Sequence, residues 1–464
     1  MLIVSIFIAK TLVINVKAED ATFYEGEYID NIYMNKYDYS TRITYYQKAR
    51  FFRRSGSNEF AYCLEPFRIF NAYSNYSSTI TPRDLSNSQI DRISKIAYFG
   101  YGYNNHTDSK WYAVTQMMIW REAGYNKGDF YFTDSLNGNR IEPFNNEINE
   151  INNLINEYSL LPSFSNKTYT IVEGSSLIIE DTNNVLNKYK TDNININNNK
   201  IELNDLQKGT YIYNLVREEK KYNKPTIFYQ SNNSQNILQT GNINSINTSF
   251  KVNVIKTDIS LIKVDKDTKT IESQGEASLN GAIYTLYDKD NNKIKDLEII
   301  DNKNTISNIP FGKYYLKETK AGTGYLLDNN TYEIEVSESN NQIDLILENK
   351  VIDKKITIEK KYGEENILRS EKNISFDIYN SNDIKIKTIT TNDLGIAEVT
   401  LPYGKYKIIQ VNSTEGYQKV DPISIDVNNT ERELIELKDL KIPVPDTHTE
   451  SILLLIIKLF LELW

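Results

Sequence analysis

The chain has 464 residues, of which 40% are hydrophobic and 25% are charged, and its formal net charge is −9. That length predicts roughly three or four domains. The acidic balance excludes nucleic acid as a partner, because binding to phosphates requires a basic face. Two histidines and one cysteine are too few for an ordinary zinc site, and no nucleotide-binding fingerprint occurs, so we expect neither a metal nor a cofactor.

The first 18 residues have the features of a secretory signal peptide. An apolar run from Leu2 to Ile8 resumes after Lys10, and Val16-Lys17-Ala18 satisfies the small-residue rule for signal-peptidase cleavage. The basic segment that normally precedes the apolar run is missing, and the alternative is a buried N-terminal strand. We expect the signal, and therefore an exported chain.

The C-terminal segment resembles a Gram-positive cell-wall sorting signal in degenerate form. Pro445 and Thr447 match its Pro-x-Thr core, whereas Val444 and His448 replace the usual Leu and Gly. The apolar stretch Ser451–Trp464 follows, which is shorter than the ~20 residues of a lone membrane-spanning helix, and the usual basic end is absent. The resemblance implies a tail that enters the membrane transiently, cleavage by a sortase and attachment to peptidoglycan.

Secondary-structure patterns change along the chain. Before Pro162, apolar residues at helical spacing predict three helices, over Ser88–Tyr98, Trp111–Ala123 and Phe144–Tyr158. Short aromatic strands such as Phe60–Leu64 lie around them. From Ser163 to Lys256 short strands alternate with Asn-rich turns, a pattern typical of a β-sandwich.

An internal repeat follows these segments. Ile259–Lys263 aligns with Ile356–Lys360, and Ile309–Leu316 aligns with Leu401–Ile408. The repeat predicts two β modules in tandem, each with its own core, as in a stalk.

Cys63 is the only cysteine, and a lone cysteine in an exported chain is buried and inert, paired with another chain, or a special thiol. Gln116 is the polar member of a helical stripe that it forms with Ala113, Met117 and Trp120. A Cys63 thiolate that attacks the Gln116 side-chain carbonyl would expel ammonia and leave an internal thioester. A lysine amine on a partner would open that thioester and form a stable amide.

Two strings resemble the bacterial thioester domains, also called TQXA domains. They are Tyr62-Cys63-Leu64 and Thr115-Gln116-Met117-Met118-Ile119-Trp120, in which Met118 replaces the usual Ala. The resemblance implies covalent attachment to amines of host proteins, with Cys63 and Gln116 as the bond-forming pair. We expect Tyr62, Trp111, Met117 and Trp120 to keep water away from the bond. An inert pair in the core is the alternative.

An enzyme reading would need a histidine base for Cys63. His448 lies in the sorting signal, and His106 lies in a polar loop where we expect it to be exposed. A cysteine acyltransferase or protease using His106 is therefore the weaker hypothesis. We expect a single-turnover attachment rather than an enzyme.

The two repeats resemble the collagen-adhesin B-type modules, also called SpaA-like prealbumin-fold domains. The resemblance implies that the first repeat carries an isopeptide bond between Lys263 and Asn349, with Glu318 beside them. Burial favours a neutral amine, which is a nucleophile, and a protonated Glu318, which would polarise the Asn349 carbonyl. The alternative is that all three residues lie on the surface.

The second repeat departs from this pattern. Lys360 aligns with Lys263, but Gln410 takes the place of Glu318, and Asp439 stands where an Asn is expected. Glutamine cannot accept and return a proton, so we predict no cross-link in this repeat.

Together these observations predict a mainly β, multidomain protein, in which a mixed α/β domain precedes three β-sandwich modules in series. The expected order is a signal peptide (1–18), a thioester domain (22–162), a β-sandwich module (163–256), a B-type module with an isopeptide bond (258–352), a second B-type module (353–440) and a sorting signal (441–464). We expect an extracellular, cell-wall-anchored monomeric adhesin. A noncovalent structural surface protein or pilus-like subunit with an inert Cys63 is the alternative.

Overall fold

The computed structural model of the protein describes residues 20–443, without 58, 83, 125–127, 193 and 365–366. The predicted signal peptide and the sorting residues Pro445 and Thr447 lie outside the described residues. No helix in the described part of the chain is long and apolar enough to cross a membrane. Two compact units are formed: one comprises the chain up to Tyr169 with Ser176–Asn204 and Thr210–Asn253, and the other comprises Thr170–Ser175, Asp205–Gly209 and the chain from Val254 onward.

Strands predominate, which confirms the predicted mainly β fold class. Up to Ile255 the strands are β1 (Asp20–Ala21), β2 (Phe23–Asp38), β3 (Ile43–Arg54), β4 (Phe60–Cys63), β5 (Tyr76–Thr79), β6 (Asp129–Thr133), β7 (Thr168–Val172), β8 (Leu177–Glu180), β9 (Ile196–Asn197), β10 (Lys200–Leu203), β11 (Gly209–Arg217), β12 (Ile227–Gln230), β13 (Ile237–Gln239) and β14 (Ile246–Ile255). The helices are α1 (Asn87–Phe99), α2 (Ser109–Glu122) and α3 (Asn145–Ser159), with a 3-10 turn at Leu186–Lys188.

The three helices confirm the periodicity prediction to within a few residues. Ser86 caps α1 through a reciprocal capping box with Gln89, and Asp108 accepts a hydrogen bond from the Lys110 backbone at the start of α2. Their apolar faces are buried in one core with the eight-stranded sheet β1-β5-β12-β13-β4-β3-β2-β6.

The predicted border at Pro162 is wrong for β12 and β13. Both strands belong to the eight-stranded sheet, where Ile237 of β13 lies opposite Cys63 of β4. Ile237 and Leu238 are fully buried, as a strand in the interior of a sheet requires. The residues between Pro162 and β12 instead contribute to two three-stranded sheets, β8-β10-β9 and β11-β14-β7. A local strand pattern does not specify which sheet a strand joins, and this caused the error.

The repeat predicted from residue 258 onward is present as two β modules. Their strands are β15 (Asp258–Asp265), β16 (Ile283–Asp288), β17 (Lys293–Glu298), β18 (Lys303–Ser307), β19 (Gly312–Lys320), β20 (Thr331–Val336), β21 (Gln342–Asn349), β22 (Asp353–Glu364), β23 (Ile367–Ser370), β24 (Ser375–Asn380), β25 (Lys385–Thr390), β26 (Ile396–Pro402), β27 (Gly404–Gln410), β28 (Ile423–Val427) and β29 (Glu433–Asp439).

Each module consists of two sheets around its own apolar core. The first contains β18-β15-β21 and β17-β16-β19-β20, and the second contains β23-β22-β26, with β29 also paired to β22, and β25-β24-β27-β28. In both modules the first and last strands pair in parallel, β15 with β21 and β22 with β29. Side chains on these two strands can therefore meet although they are far apart in the sequence.

Candidate functional site

Cys63 and Gln116 meet in the core of the first unit. The backbone N–H of Cys63 donates to Oε1 of Gln116 over 2.9 Å, and Nε2 of Gln116 donates to the Cys63 carbonyl over 2.7 Å. Each residue is only 1% exposed. The buried amide thus has a partner for both of its polar ends, and those partners belong to the residue that carries the thiol.

Tyr112 holds α2 in register with the sheet. Its hydroxyl donates to the Ala61 carbonyl over 2.5 Å and accepts from the Phe52 backbone N–H over 2.9 Å. Phe52 and Ala61 are themselves paired between β3 and β4. Because Tyr112 and Gln116 are one helical turn apart, this anchor sets the position of Gln116 beside the end of β4.

The surroundings of the pair are apolar, as the sequence predicts. Tyr62, Trp111, Met117 and Trp120 are all buried, and they belong to the same core as Cys63. The rings of Tyr62 and Tyr112 stack with centroids 4.8 Å apart. Cys63 and Gln116 are thereby shielded from solvent.

Burial raises the pKa of the Cys63 thiol well above its ordinary value, and the negative charges of Glu25 and Glu65 act in the same direction. The cysteine is therefore a neutral thiol at neutral pH. Because the thiolate is the nucleophilic form, the thiol proton must be transferred to another group as the sulfur attacks.

The expectation that His106 is exposed is wrong. The residue is 3% exposed, and its ring stacks on Trp111 with centroids 3.6 Å apart. Nδ1 lies 2.8 Å from the Phe99 carbonyl, and Nε2 lies 3.0 Å from Oε1 of Glu150. Both ring nitrogens thus have partners other than Cys63. The polar sequence around His106 concealed the aromatic partner five residues later.

A second buried constellation lies in the first B-type module. Nζ of Lys263 contacts Oδ1 of Asn349 and lies 3.1 Å from Oε1 of Glu318. Nδ2 of Asn349 donates to both carboxylate oxygens of Glu318, over 3.0 and 2.9 Å. The structure thus brings together the three residues that the sequence singled out, and it buries all of them.

Burial lowers the pKa of Lys263, against the opposing influence of the Glu318 charge. A larger fraction of the amine is therefore neutral, which is the nucleophilic form. Tyr284, which the sequence reasoning missed, places its hydroxyl in contact with Nζ of Lys263. The sequence feature that could have pointed to Tyr284 is its place in the apolar pattern of β16.

The corresponding residues of the second module also meet. Nζ of Lys360 contacts Oδ1 of Asp439, and Nε2 of Gln410 donates to Oδ2 of Asp439 over 2.7 Å. A fourth residue that the repeat alignment did not include, Glu371, lies with Oε2 3.4 Å from Nζ of Lys360. No group of His, Cys, Asp and Glu that could hold a metal ion occurs among the described residues.

Comparisons with known proteins match three segments of the chain to two domain families. Residues 60–159 match the family model of the thioester domain, and residues 257–351 and 354–441 match that of the SpaA prealbumin-like fold domain. A search of curated proteins finds no match.

Similar solved structures include two thioester proteins and a pilin. The Bacillus anthracis TIE protein is 18% identical, over 91% of this chain and 84% of that chain, with a TM-score of 0.36. The thioester domain of the Staphylococcus aureus TIE protein is 19% identical, over 51% and 99%, with a TM-score of 0.37. A minor pilin of Streptococcus agalactiae is 14% identical, over 42% and 100%, with a TM-score of 0.21.

Proposed function

We propose that this chain, which contains a thioester domain and two SpaA-type prealbumin-like fold domains, is a surface adhesin that binds its target covalently. Cys63 and Gln116 form an internal thioester, and an amine of a host surface or matrix protein opens it. The observation that carries the proposal is the pair of hydrogen bonds between the Gln116 amide and the backbone of Cys63.

Formation of the thioester joins Sγ of Cys63 to Cδ of Gln116. The C–N bond of the amide breaks, and the nitrogen leaves as ammonia with the thiol proton. The backbone N–H of Cys63 points at Oε1, where negative charge develops in the tetrahedral intermediate. This donor is already in place to stabilise the tetrahedral intermediate.

In the attachment to the target, the Cys63 sulfur is the leaving group instead of the nucleophile. A lysine amine of the host protein attacks the thioester carbonyl, an amide forms, and the Cys63 thiol is released. The raised pKa of Cys63 favours protonation of the departing sulfur. The product is a stable amide, so one chain captures one target and no turnover follows.

The first B-type module supports the head through an isopeptide bond. Nζ of Lys263 attacks Cγ of Asn349, Glu318 takes the proton from the amine, and ammonia leaves from Nδ2. Glu318 is suited to this transfer because it contacts both the attacking and the leaving nitrogen. The bond joins the first and last strands, so tension on the chain ends does not separate them.

Export and anchoring complete the proposal. Residues 1–18 direct secretion, and a sortase recognises Pro445 and Thr447 and joins the monomeric chain to peptidoglycan. The modules between head and anchor then hold the thioester outside the cell wall.

Uptake of methylamine tests the thioester. The intact wild-type chain should be lighter than its sequence by one ammonia at this site and should gain one methylamine when treated. Cys63→Ala should show neither change, whereas the control Gln47→Ala, on the hairpin strand β3, should behave as wild type.

A wild-type chain that keeps a free thiol and takes up no amine would support the alternative of a noncovalent surface protein with an inert Cys63. Repeated consumption of amine by one chain would instead support an enzyme. The covalent adhesin requires one equivalent and then no further reaction.

A further inference from the structure

Three aromatic rings form a row from the surface of the first unit toward the interior. The ring centroids of Tyr45 and Phe67 are 5.7 Å apart, and those of Phe67 and Trp120 are 5.8 Å apart. Exposure falls along the row: Tyr45 is 37% exposed, Phe67 is half-buried and Trp120 is 1% exposed. Trp120 lies one helical turn after Gln116 on α2. The row therefore leads from solvent toward the pair that the proposed thioester joins.

Phe67 belongs to a loop that is fixed on both sides of it. Before Phe67, Oε2 of Glu65 accepts from the Asn236 backbone N–H over 2.8 Å. After it, the Ile69 carbonyl accepts from the Gln235 backbone N–H over 3.2 Å. Phe67 itself has a φ of 60°, in the left-handed region that is unfavourable for a bulky side chain. A change of this one residue to the ordinary region can turn its ring aside while the two hydrogen bonds hold the loop.

The inner end of the row has an unused hydrogen-bond donor. Nε1 of Trp120 is buried and has no hydrogen-bond partner among the residues that the structure describes. Burial of such a donor is costly, and an entering group with a lone pair would satisfy it. The indole N–H only donates, and so does a lysine ammonium. A neutral lysine amine has a lone pair, so the inner end of the row suits the amine in its nucleophilic form.

We propose that Tyr45 and Phe67 form the entrance by which the target lysine reaches the thioester, and that Phe67 is its gate. The Tyr45 ring contacts the aliphatic part of the lysine side chain at the surface. The Phe67 ring covers Trp120 when no lysine is present and turns aside when one enters. The inference rests on the proposed thioester. It narrows the target to a lysine on a protruding segment, because a side chain packed against its own protein cannot pass between the rings.

The reaction at the inner end needs no further reactant. The lysine ammonium loses one proton to water as it leaves solvent, and its neutral nitrogen bonds to Cδ of Gln116. The C–S bond of the thioester breaks, and one proton of the nitrogen passes to Sγ of Cys63. Phe67 takes no part in these steps, so it is a positioning residue that controls access.

The gate is tested by two reactions of the chain that carries the thioester, hydrolysis in water and aminolysis by methylamine. Intact mass, compared with that of Cys63→Ala, first shows the ammonia lost at this site and then follows the gain of water or methylamine with time. Phe67→Ala should accelerate both reactions about tenfold, because the two ring contacts that hold the gate shut are lost. Phe70→Ala is the matched control and should react at wild-type rates, since Phe70 is half-buried in the same loop but packs on Phe52, with centroids 5.0 Å apart.

Two further variants separate the gate from the fold and from the outer contact. Phe67→Leu disturbs the loop less and should give intermediate rates. Tyr45→Ala should lower the ratio of the rate with Nα-acetyl-lysine amide to the rate with methylamine by about threefold. Tyr46→Ala, at the exposed neighbour on the opposite face of β3, should leave this ratio unchanged.

The outcomes distinguish the gate from the thioester. Wild-type rates in both Phe67→Ala and Phe67→Leu would overturn the gate. Equal acceleration in Phe70→Ala would assign the effect to the loop as a whole and overturn the role of Phe67. A wild-type chain that lacks the ammonia loss would instead refute the thioester, and the gate with it.

Discussion

Asn349 lies opposite Asp265 in the parallel pair of β15 and β21, two residues beyond Lys263. The second module repeats this offset, since Asp439 lies opposite Tyr362, two residues beyond Lys360. In both modules an amine on the first strand and an acyl group on the last strand therefore face each other inside the module. The parallel pairing of the terminal strands, rather than any single residue, creates the opportunity for a cross-link.

Loss of the acid in the first module should prevent its cross-link. Glu318→Gln preserves size and burial but cannot transfer a proton, so the chain should keep one more ammonia than wild type. Lys263 and Asn349 are 86 positions apart, and the proposed covalent loop of that length would stabilise the fold by about 4.6 kcal/mol in the chain-entropy model. Calorimetry should show a lower melting temperature for this module. Glu335→Gln, at an exposed position of β20, is the matched control, and an unchanged mass for Glu318→Gln would contradict the mechanism.

Replacement of the amide by an acid should abolish the thioester. Gln116→Glu has a poor leaving group and places a carboxylate oxygen against the Cys63 carbonyl, where Nε2 now donates. The variant should take up no methylamine and should lose about 1–3 kcal/mol of unfolding free energy. Mass spectrometry and denaturant titration measure the two effects, with Gln47→Glu as control. Amine uptake by Gln116→Glu at the wild-type rate would refute the assignment of Gln116.

Removal of one hydroxyl should weaken the contact between α2 and the sheet. Tyr112→Phe leaves the Ala61 carbonyl and the Phe52 N–H without their buried partner, which costs about 1–3 kcal/mol of unfolding free energy. Thioester formation should also slow, because Gln116 is positioned by the same helix. The exposed Tyr39 provides the control variant Tyr39→Phe. Equal stability of the two variants would show that Tyr112 does not anchor the helix.

Titration of the unreacted thiol should make stability depend on pH. In Gln116→Ala the thiol remains free, and burial raises the pKa of Cys63 above its ordinary value of 9.0. A pKa raised by folding means that the folded state holds the proton more tightly than the unfolded chain. The stabilisation is complete below pH 9 and is lost as the pH rises above it. Unfolding free energy should therefore fall faster with pH in Gln116→Ala than in Gln116→Ala/Cys63→Ala, whereas parallel curves would argue against a raised pKa.

Local patterns in the sequence were sufficient to predict the secondary structure and to single out the residues of the two buried constellations. Helical periodicity located α1, α2 and α3, and the repeat located the B-type modules, because periodicity records which face of an element is buried. The strings around Cys63 and Gln116 indicated a pair that the structure places within hydrogen-bond distance.

Long-range pairing was not accessible in this way. The entry of β12 and β13 into the eight-stranded sheet, the packing of His106 on Trp111 and the approach of Glu371 to Lys360 all depend on contacts between separate parts of the chain. A strand pattern states that one face is apolar but not which neighbour covers it, and a lone polar residue gives no sign of its burial. Folding selects these partners by burying the apolar surface of the whole unit and pairing its polar groups. Neither requirement can be evaluated from a local stretch of sequence.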